Sequence, residues 1–220
     1  MRKKTPVPSL EHEERLWSTG LRHIAGVDEA GRGAWAGPVV AAAVILPPDD
    51  PDLLQYLTAV RDSKCLTAAR REALLPVIQE VAVGLGVGAV PPAEIDDIGI
   101  VPATRKAMAQ ALAKLAPPAD YLLLDYVSLP DVPLGQYSLP KGDAYVLSIA
   151  AASIVAKVSR DRMMVELEGK LPGYGFARHK GYGTAQHRAA LAALGPSQVH
   201  RHSFAPLRAL APDIAKDSPS

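Results

Sequence analysis

The chain has 220 residues, enough for one domain with a substantial hydrophobic core. Hydrophobic residues make up 48% and charged residues 21% of the sequence, proportions typical of a globular protein. A net charge of +1 gives no evidence for or against a polyanionic partner, and the single cysteine, Cys65, excludes an internal disulfide and a zinc-ribbon motif. The sequence lacks a membrane-length apolar stretch and an apolar N-terminal signal, so we expect a cytoplasmic protein with no membrane partner.

Apolar runs predict three strands in the first half of the chain. Residues 1–14 are charged and contain prolines, so we expect a flexible tail there. Continuous apolar runs at 24–28 and 38–46 predict strands buried on both faces. The glycine-rich run 81–90 predicts a third strand that packs closely against its neighbours.

Helices and one further strand are predicted later in the chain. Thr67 is a suitable N-cap for a helix that ends near residue 80. An apolar stripe at helical spacing predicts a helix at 102–115, and YLLLD at 121–125 predicts a short buried strand that ends in an acid. The run 143–170 predicts one long helix, and a last helix is predicted at 184–194.

This order of elements predicts an α/β fold with a mixed sheet flanked by helices. We expect a catalytic core at 15–172 and a small helical C-terminal segment at 173–210 that packs on it. Residues 211–220 are predicted to form a second flexible tail.

The C-terminal part carries an unbalanced positive charge. Residues 174–208 contain no Asp or Glu. The basic side chains there are Arg178, Lys180, Arg188, Arg201 and Arg208. This stretch is either a solvated basic surface or a surface that faces phosphate groups.

Four carboxylates stand where a predicted strand ends or a helix begins: Asp28, Glu29, Asp125 and Asp143. Such ends can converge on one edge of a sheet, where sites form. Taken singly, Asp143 would fit a helix cap and Asp125 a turn residue.

Asp28 and Glu29 are harder to explain as structural residues, because two adjacent desolvated carboxylates raise each other's pKa. A hard divalent cation removes that conflict, and sites made only of oxygen ligands select Mg²⁺ or Mn²⁺. Successive strand side chains point to opposite faces, so both acids reach one ion only if the backbone twists there or one binds through its main chain. An acid cluster without a nucleophilic side chain predicts metal-assisted hydrolysis of a phosphodiester by two ions.

An ordered set of motifs resembles the ribonuclease HII family. The opening signature is GVDEAGRG followed by GPVVAAAVIL. The motifs DSK, YLLLD, KGD, SIAAASIVAKVSRD, GYGFARHKGYGT and RHSF follow in the order of the family. Together they extend from about residue 22 to residue 208.

The resemblance implies a ribonuclease H-like fold, with a five-stranded mixed sheet, helices on both sides and a helical C-terminal segment. It implies an endonuclease that hydrolyses the RNA strand of RNA–DNA hybrids. It also implies nicking of duplex DNA on the 5′ side of an embedded ribonucleotide, which leaves 3′-hydroxyl and 5′-phosphate ends. Mg²⁺ or Mn²⁺ would be the cofactor, with two ions in the substrate complex, and the protein would be monomeric.

The resemblance also assigns roles to individual residues. Its metal ligands correspond to the four acids Asp28, Glu29, Asp125 and Asp143. The glycine-arginine-glycine of the family corresponds to Gly31, Arg32 and Gly33, which would grip the 2′-hydroxyl and a phosphate largely through main-chain groups. Without the resemblance, the two glycines would suggest an ordinary turn. Tyr182 would pack on the sugar of the next deoxynucleotide or, alternatively, belong to the core.

The predicted long helix adds further candidate contacts. Ser153, Lys157 and Arg160 share a face, and Asp161 lies beside Lys157. This face either holds backbone phosphates, with Asp161 orienting Lys157, or is an exposed face with an ion pair. Lys64 of the DSK motif is a phosphate contact by resemblance and otherwise a surface lysine.

The sequence departs from the family pattern after the third acid. Many members have glycine and asparagine there, whereas Asp125 is followed by Tyr126 and Val127. Substrate contacts of that loop therefore do not carry over from the family, although the carboxylate itself is present.

Three other functions compete with this hypothesis. The related ribonuclease HIII branch usually carries an extra N-terminal domain and lacks an arginine between the glycines, whereas this chain has Arg32. A catalytically silent nucleic-acid-binding module would tolerate loss of a carboxylate, yet all four are present. A phosphate-cradling nucleotide site is disfavoured because acids precede the glycine loop and no lysine-serine pair follows it.

Overall fold

Five strands form one mixed sheet in the order β3-β2-β1-β4-β5 in the computed structural model, which describes residues 6–209. The strands are β1 (Ile24–Ala30), β2 (Val39–Ile45), β3 (Gly84–Val90), β4 (Tyr121–Asp125) and β5 (Gly135–Leu139). The β1–β2 and β2–β3 pairs are antiparallel, and the β1–β4 and β4–β5 pairs are parallel. The predicted mixed sheet is confirmed.

Helices cover both faces of this sheet. They are α1 (Glu11–Trp17), α2 (Leu53–Tyr56), α3 (Ala68–Val81), α4 (Pro92–Ile98), α5 (Ile100–Leu112), α6 (Gly142–Tyr145), α7 (Leu147–Lys170), α8 (Phe176–His179), α9 (Ala185–Leu194) and α10 (Ala205–Arg208). A 3-10 turn at Ser63–Cys65 precedes α3. None of the helices between residues 6 and 209 is long and apolar enough to cross a membrane.

Two buried layers separate the sheet from its principal helices, α7 on one face and α5 on the other. Gly26 of β1 lies so close to α7 that an added Cβ would stand 2.2 Å from the carbonyl carbon of Ser148. On the other face Gly88 of β3 approaches α5, where a Cβ would stand 2.0 Å from the carbonyl oxygen of Ala107. These close contacts fix α7 and α5 against the two faces of the sheet.

The predicted boundaries of the first tail and of the long helix are wrong. Ser9 pairs with Val146, and α1 begins at Glu11 with the side chain of Glu13 fully buried, so the expected tail at 1–14 is too long. Val146 is extended, with φ −109° and ψ 123°, and it divides the predicted helix 143–170 into α6 and α7. Asp143 therefore lies on the short α6 and does not cap α7.

Other differences have local causes. Strand β5 was not predicted from the residues because its sequence, GQYSL, is a half-exposed edge strand without an apolar run. Helix α3 continues through Val81, so the third strand begins three residues later than expected. The predicted helix cap at Thr67 is confirmed by a side-chain hydrogen bond to the main-chain N–H of Arg70. Thr184 caps α9 in the same way, which was not predicted from the sequence. The predicted tail at 211–220 lies outside the described residues.

Candidate active site

Three carboxylates converge at one edge of the sheet. Oxygens of Asp28, Asp125 and Asp143 lie within 4.8 Å of one another. The parallel pairing of β1 with β4 sets Val27 opposite Leu124, so Asp28 and Asp125 follow at the same end. Because Gly26 faces α7, Asp28 two residues later faces the same side, where α6 brings Asp143.

Glu29 stands apart from this triad for the reason that strand geometry predicts. Its side chain follows Val27 on the α5 face, whereas Asp28 points to the α7 face. Glu29 Oε1 lies 3.3 Å from the guanidinium of Arg32. Its second oxygen, Oε2, is buried and has no hydrogen-bond partner among the described residues. A carboxylate oxygen left unpaired at the edge of an acid cluster is suited to a bound cation.

Asp28, Glu29 and Asp125 hold their protons more tightly than isolated carboxyl groups. Burial, followed by the charges of Glu29 and Asp125, raises the pKa of Asp28 well above its usual range. Burial also raises the pKa of Glu29, against the opposing effect of Arg32, and raises that of Asp125 together with the charge of Asp143. Clustered oxygen ligands whose charges repel one another fit a hard divalent cation.

Lys64 partly neutralises the cluster. Its Nζ lies 3.0 Å from Oδ2 of Asp143, and the side chain of Asp62 holds the turn by accepting the main-chain N–H of Lys64. Burial alone would lower the pKa of Lys64, but the hydrogen bond and charge of Asp143 raise it above its usual range. The charged lysine is therefore held beside the acids.

The glycine-arginine loop after β1 is fixed from beneath by two buried arginines. Gly31 has φ +93°, and an added Cβ would stand 1.9 Å from Nε of Arg160. Arg201 donates to the carbonyl oxygen of Arg32 at 2.8 Å and to that of Gly37 at 2.9 Å. Glycine at position 31 is thus required both by the backbone conformation and by the close approach.

Of the two alternatives for the face of Ser153, Lys157 and Arg160, an exposed face with an ion pair does not hold for Ser153 and Arg160, which are buried. Arg160 has 0% exposure and donates to the carbonyl groups of Ala36, Pro38 and Lys180. Its guanidinium therefore ties the glycine-arginine loop to the C-terminal segment. Helical spacing alone cannot show that a second segment covers a polar face.

The other two side chains of this face also have protein partners. Ser153 is 2% exposed, and its hydroxyl lies 2.7 Å from that of Ser63, next to Lys64. Lys157 donates to Asp161 at 2.5 Å, the contact expected from the sequence. Burial lowers the pKa of Lys157 despite this contact.

Tyr182 lies at the surface of the C-terminal segment with 37% of its area exposed. The guanidinium carbon of Arg160 is 5.5 Å from its ring centroid. Because Arg160 also contacts Gly31, the tyrosine and the glycine-arginine loop lie over the same buried support. The setting agrees with the exposed position expected for this residue.

A buried histidine network supports the Tyr182 loop, and the sequence did not predict it. His200 Nδ1 accepts the main-chain N–H of Ser197, so its Nε2 proton is donated to His187 Nε2 at 3.1 Å. His187 then donates from Nδ1 to the carbonyl oxygen of Tyr182 at 3.1 Å. Burial lowers the pKa of His187, and burial with the charge of His187 lowers that of His200 to about 4.

The third histidine of this network stacks on the second. The rings of His179 and His187 are 4.3 Å apart and nearly parallel. His179 Nδ1 accepts from the N–H of Gly181. The abundance of histidine in this segment was visible in the sequence, but the hydrogen-bond order depends on how α8, α9 and the loop of His200 pack together.

Comparison with known proteins agrees with this geometry. A family model described as Ribonuclease HII matches residues 25–207. A ribonuclease HII of Roseiflexus castenholzii is 55% identical over 212 residues, which cover 96% of this chain and 94% of the relative. A ribonuclease HII of Chloroflexus aurantiacus is 54% identical over 204 residues, which cover 91% of this chain and 95% of the relative.

Solved structures share the fold. The ribonuclease H2 of Pyrococcus horikoshii has a TM-score of 0.69 at 25% identity and covers 85% of this chain and 96% of its own. The RNase HII of Archaeoglobus fulgidus, solved in complex with PCNA, has a TM-score of 0.68 at 28% identity and covers 86% and 98%. Bst-RNase HIII, solved in complex with Mn²⁺, has a TM-score of 0.65 at 19% identity, and the match covers 85% of this chain and 68% of the other. At this identity, the similarity supports the fold alone. The ribonuclease H-like fold is confirmed.

Proposed function

The chain belongs to the ribonuclease HII family and is a divalent-metal-dependent ribonuclease H endonuclease that acts on RNA–DNA hybrids; we propose that it also nicks duplex DNA on the 5′ side of an embedded ribonucleotide. The observation that carries the proposal is the carboxylate triad beside a glycine-arginine loop of fixed backbone. The family match disfavours the ribonuclease HIII hypothesis and the silent-module hypothesis.

The carboxylates of Asp28, Asp125 and Asp143 would hold the metal, and the unpaired Oε2 of Glu29 offers a further ligand. We propose Mg²⁺ or Mn²⁺, with two ions in the substrate complex. When bound, such ions lower the pKa of a water molecule and stabilise the charge that develops on the leaving oxygen. Lys64, held on Asp143, would place a positive charge next to the scissile phosphate.

Gly31, Arg32 and Gly33 would recognise the ribonucleotide. The 2′-hydroxyl is both a donor and an acceptor, and a close backbone loop distinguishes it from the hydrogen of DNA. Arg201 supports this role because it holds the carbonyl group of Arg32 in one place. Tyr182, exposed above Arg160, would pack against the sugar that follows.

Lys157 and Ser153 remain proposed substrate contacts of different kinds. Lys157 is only partly buried and would hold a backbone phosphate while Asp161 orients it. The burial of Ser153 favours an indirect role, in which its hydroxyl fixes Ser63 and so the neighbouring Lys64. The division into a core at 15–172 and a segment at 173–210, the monomeric state and the cytoplasmic location stay predictions.

Nicking of a defined duplex tests the function. A duplex with one ribonucleotide should be cut on its 5′ side in Mg²⁺ or Mn²⁺, and an all-DNA duplex of the same sequence should stay intact. Asp28→Asn should abolish the nick, whereas Asp97→Asn, on the exposed surface of α4, should retain full rate. Absence of a nick in both metals, or full activity of Asp28→Asn, would contradict the proposal.

A further inference from the structure

A pocket of about 660 Å³ opens beside the acid triad on the β5 side of the sheet, away from the glycine-arginine loop. Asp125 and Asp143 form its inner wall. The other lining residues are Pro6, Asp62, Lys64, Tyr126, Pro140, Lys141, Ala144 and Tyr145. The pocket is therefore continuous with the carboxylate triad and Lys64, while Tyr126, Lys141 and Tyr145 have no role assigned so far.

Tyr126 is held in this pocket in an unusual conformation. It has φ +62° although it is not glycine, and 69% of its area is exposed. Its N–H donates to the carbonyl oxygen of Leu139 at 3.0 Å, which fixes the main chain while the ring stays outside the core. An exposed aromatic ring in left-handed backbone directly after a catalytic acid is a feature that folding stability alone does not favour.

Lys141 and Tyr145 line the same pocket. Lys141 also has left-handed backbone, with φ +61°, and its side chain is exposed. Tyr145 is half exposed on α6, two residues after Asp143. Together with Lys64, these side chains present two cations and two aromatic rings, the combination that binds a phosphate-sugar backbone.

The order of strands decides which part of the substrate reaches this pocket. The glycine-arginine loop joins β1 to β2 and contacts the C-terminal segment that carries Tyr182, so the ribonucleotide and the DNA after it lie on the β2 side. The cut lies 5′ of the ribonucleotide, at the acids of β1 and β4. The preceding nucleotides of that strand must then continue over the β5 side.

We propose that Tyr126, Lys141 and Tyr145 form a subsite for the nucleotides on the 5′ side of the cut, with the two rings against deoxyribose and Lys141 on a phosphate. The subsite rests on the proposed nicking function. It gives the acid cluster an exposed tyrosine on each side, Tyr182 downstream and Tyr126 upstream of the scissile bond. Tyr126, at the position where the sequence departs from the family pattern after Asp125, becomes a substrate contact.

Two duplexes with the same ribonucleotide and the same downstream DNA test the subsite. One extends a full helical turn on the 5′ side, and the other has a single G·C pair there. Binding is measured with Ca²⁺ and nicking with Mg²⁺. Tyr126→Ala and Tyr145→Ala should each weaken binding of the long duplex about five-fold or more, and leave binding of the short duplex unchanged.

Matched variants separate contact from structure. Tyr126→Phe keeps the ring and should bind as the unmodified protein does, and Tyr56→Ala removes an exposed tyrosine from the distant α2 without effect. Lys141→Ala should reduce the slope of log affinity against log salt by about 0.9, the value for one phosphate contact. Equal losses on long and short duplexes would overturn the subsite. If the variants lose affinity only for the duplex with the long 5′ side, but the unmodified protein nicks neither duplex, the proposed function is overturned and the subsite is retained.

Discussion

Asp28 in the acid cluster shows an electrostatic cost at the scale of a single residue. Asp28 is buried, and its pKa is raised by burial and by its acidic neighbours, so its charged form costs folding free energy at neutral pH. The proposed cation would offset that cost. In the absence of metal, the same residue weakens the fold.

Asp28→Asn should therefore abolish nicking and raise the free energy of unfolding in a chelator by about 1–3 kcal/mol. The amide fills the same volume but carries no charge to be desolvated. Denaturant unfolding at neutral pH measures the gain, and Asp97→Asn provides the exposed control. A stability equal to that of the unmodified protein would mean that the carboxylates do not repel one another in the folded state.

Arg32 is a second single residue whose replacement tests the proposal, because its side chain is proposed to recognise the substrate. Its guanidinium contacts Glu29, and its carbonyl group is held by Arg201, so the main chain of the loop should survive removal of the side chain. We expect Arg32→Ala to lower affinity for a single-ribonucleotide duplex about ten-fold, in the range of a lost charge-assisted hydrogen bond.

The Arg32→Ala variant should also discriminate less between the single-ribonucleotide duplex and a long RNA–DNA hybrid, while it still binds metal. Nicking rates on the two substrates, with calorimetric titration of Mn²⁺, measure these effects. Arg15→Ala on the exposed surface of α1 is the matched control. Equal losses on both substrates would contradict a role in reading the junction.

At the scale of elements, the N-terminal segment holds the junction of α6 and α7. Ser9 exchanges main-chain hydrogen bonds with Tyr145 and Leu147, and Glu13 accepts the N–H of Ser148 at 2.8 Å. The buried carboxylate also faces the positive end of the long helix. These contacts fix α6, and with it Asp143, relative to the sheet.

Glu13→Ala should destabilise the protein by about 1–3 kcal/mol, because it leaves the buried N–H of Ser148 without a partner. Glu13→Gln retains an acceptor and should cost less. Glu14→Ala changes an exposed neighbour on the same helix and should have little effect. Thermal unfolding of the three variants ranks them. Similar values for Glu13→Ala and Glu14→Ala would show that the contact with α7 contributes nothing.

The histidine network makes the α8–α9 region sensitive to acid. The pKa of His200 is about 4 in the folded protein, below the value of about 6.5 for a free histidine. The unfolded chain therefore binds a proton that the folded protein rejects. The stabilisation is fully present above pH 6.5 and is lost as the pH falls towards 4.

The expected slope for His200 is about 1.4 kcal/mol per pH unit over that range. His200→Gln cannot titrate and should remove this part of the pH dependence, although the stability at neutral pH also changes. His12→Gln, on α1, should retain the slope of the unmodified protein. The raised pKa values of the active-site acids act in the opposite direction, so the comparison must be made between variants. Identical slopes for His200→Gln and the unmodified protein would exclude the network as its source.

The whole molecule has almost no net charge, yet the charge is unevenly distributed. The stretch 174–208 is free of acids and contacts the glycine-arginine loop through Arg201. Arg201 itself is buried, so only the exposed basic side chains of this stretch are available to phosphate.

Affinity for a ribonucleotide-containing duplex should fall linearly on a plot of log affinity against log salt, because each phosphate contact releases counterions. Arg178→Ala and Arg188→Ala report whether the acid-free stretch contributes, and each should reduce the slope by about 0.9 if its side chain contacts a phosphate. Binding titrations over a range of salt concentrations provide the slope. An unchanged slope in both variants would assign the stretch to the solvated surface instead.

The sequence by itself determined what depends on neighbours along the chain. Apolar runs located β1, β2 and β4, the hydroxyl of Thr67 located the cap of α3, and the acids at strand ends located the edge where the carboxylates converge. The ordered motifs identified the family because their chemistry is local and their order is fixed.

Only the tertiary structure decided the contacts between distant segments. It separated Glu29 from the carboxylate triad, buried Arg160 beneath the glycine-arginine loop and broke the long helix at Val146. It also assembled the histidine network and the pocket around Tyr126. Burial and hydrogen-bond partners are set by whichever segment covers a side chain, and periodicity within one element carries no information about that segment.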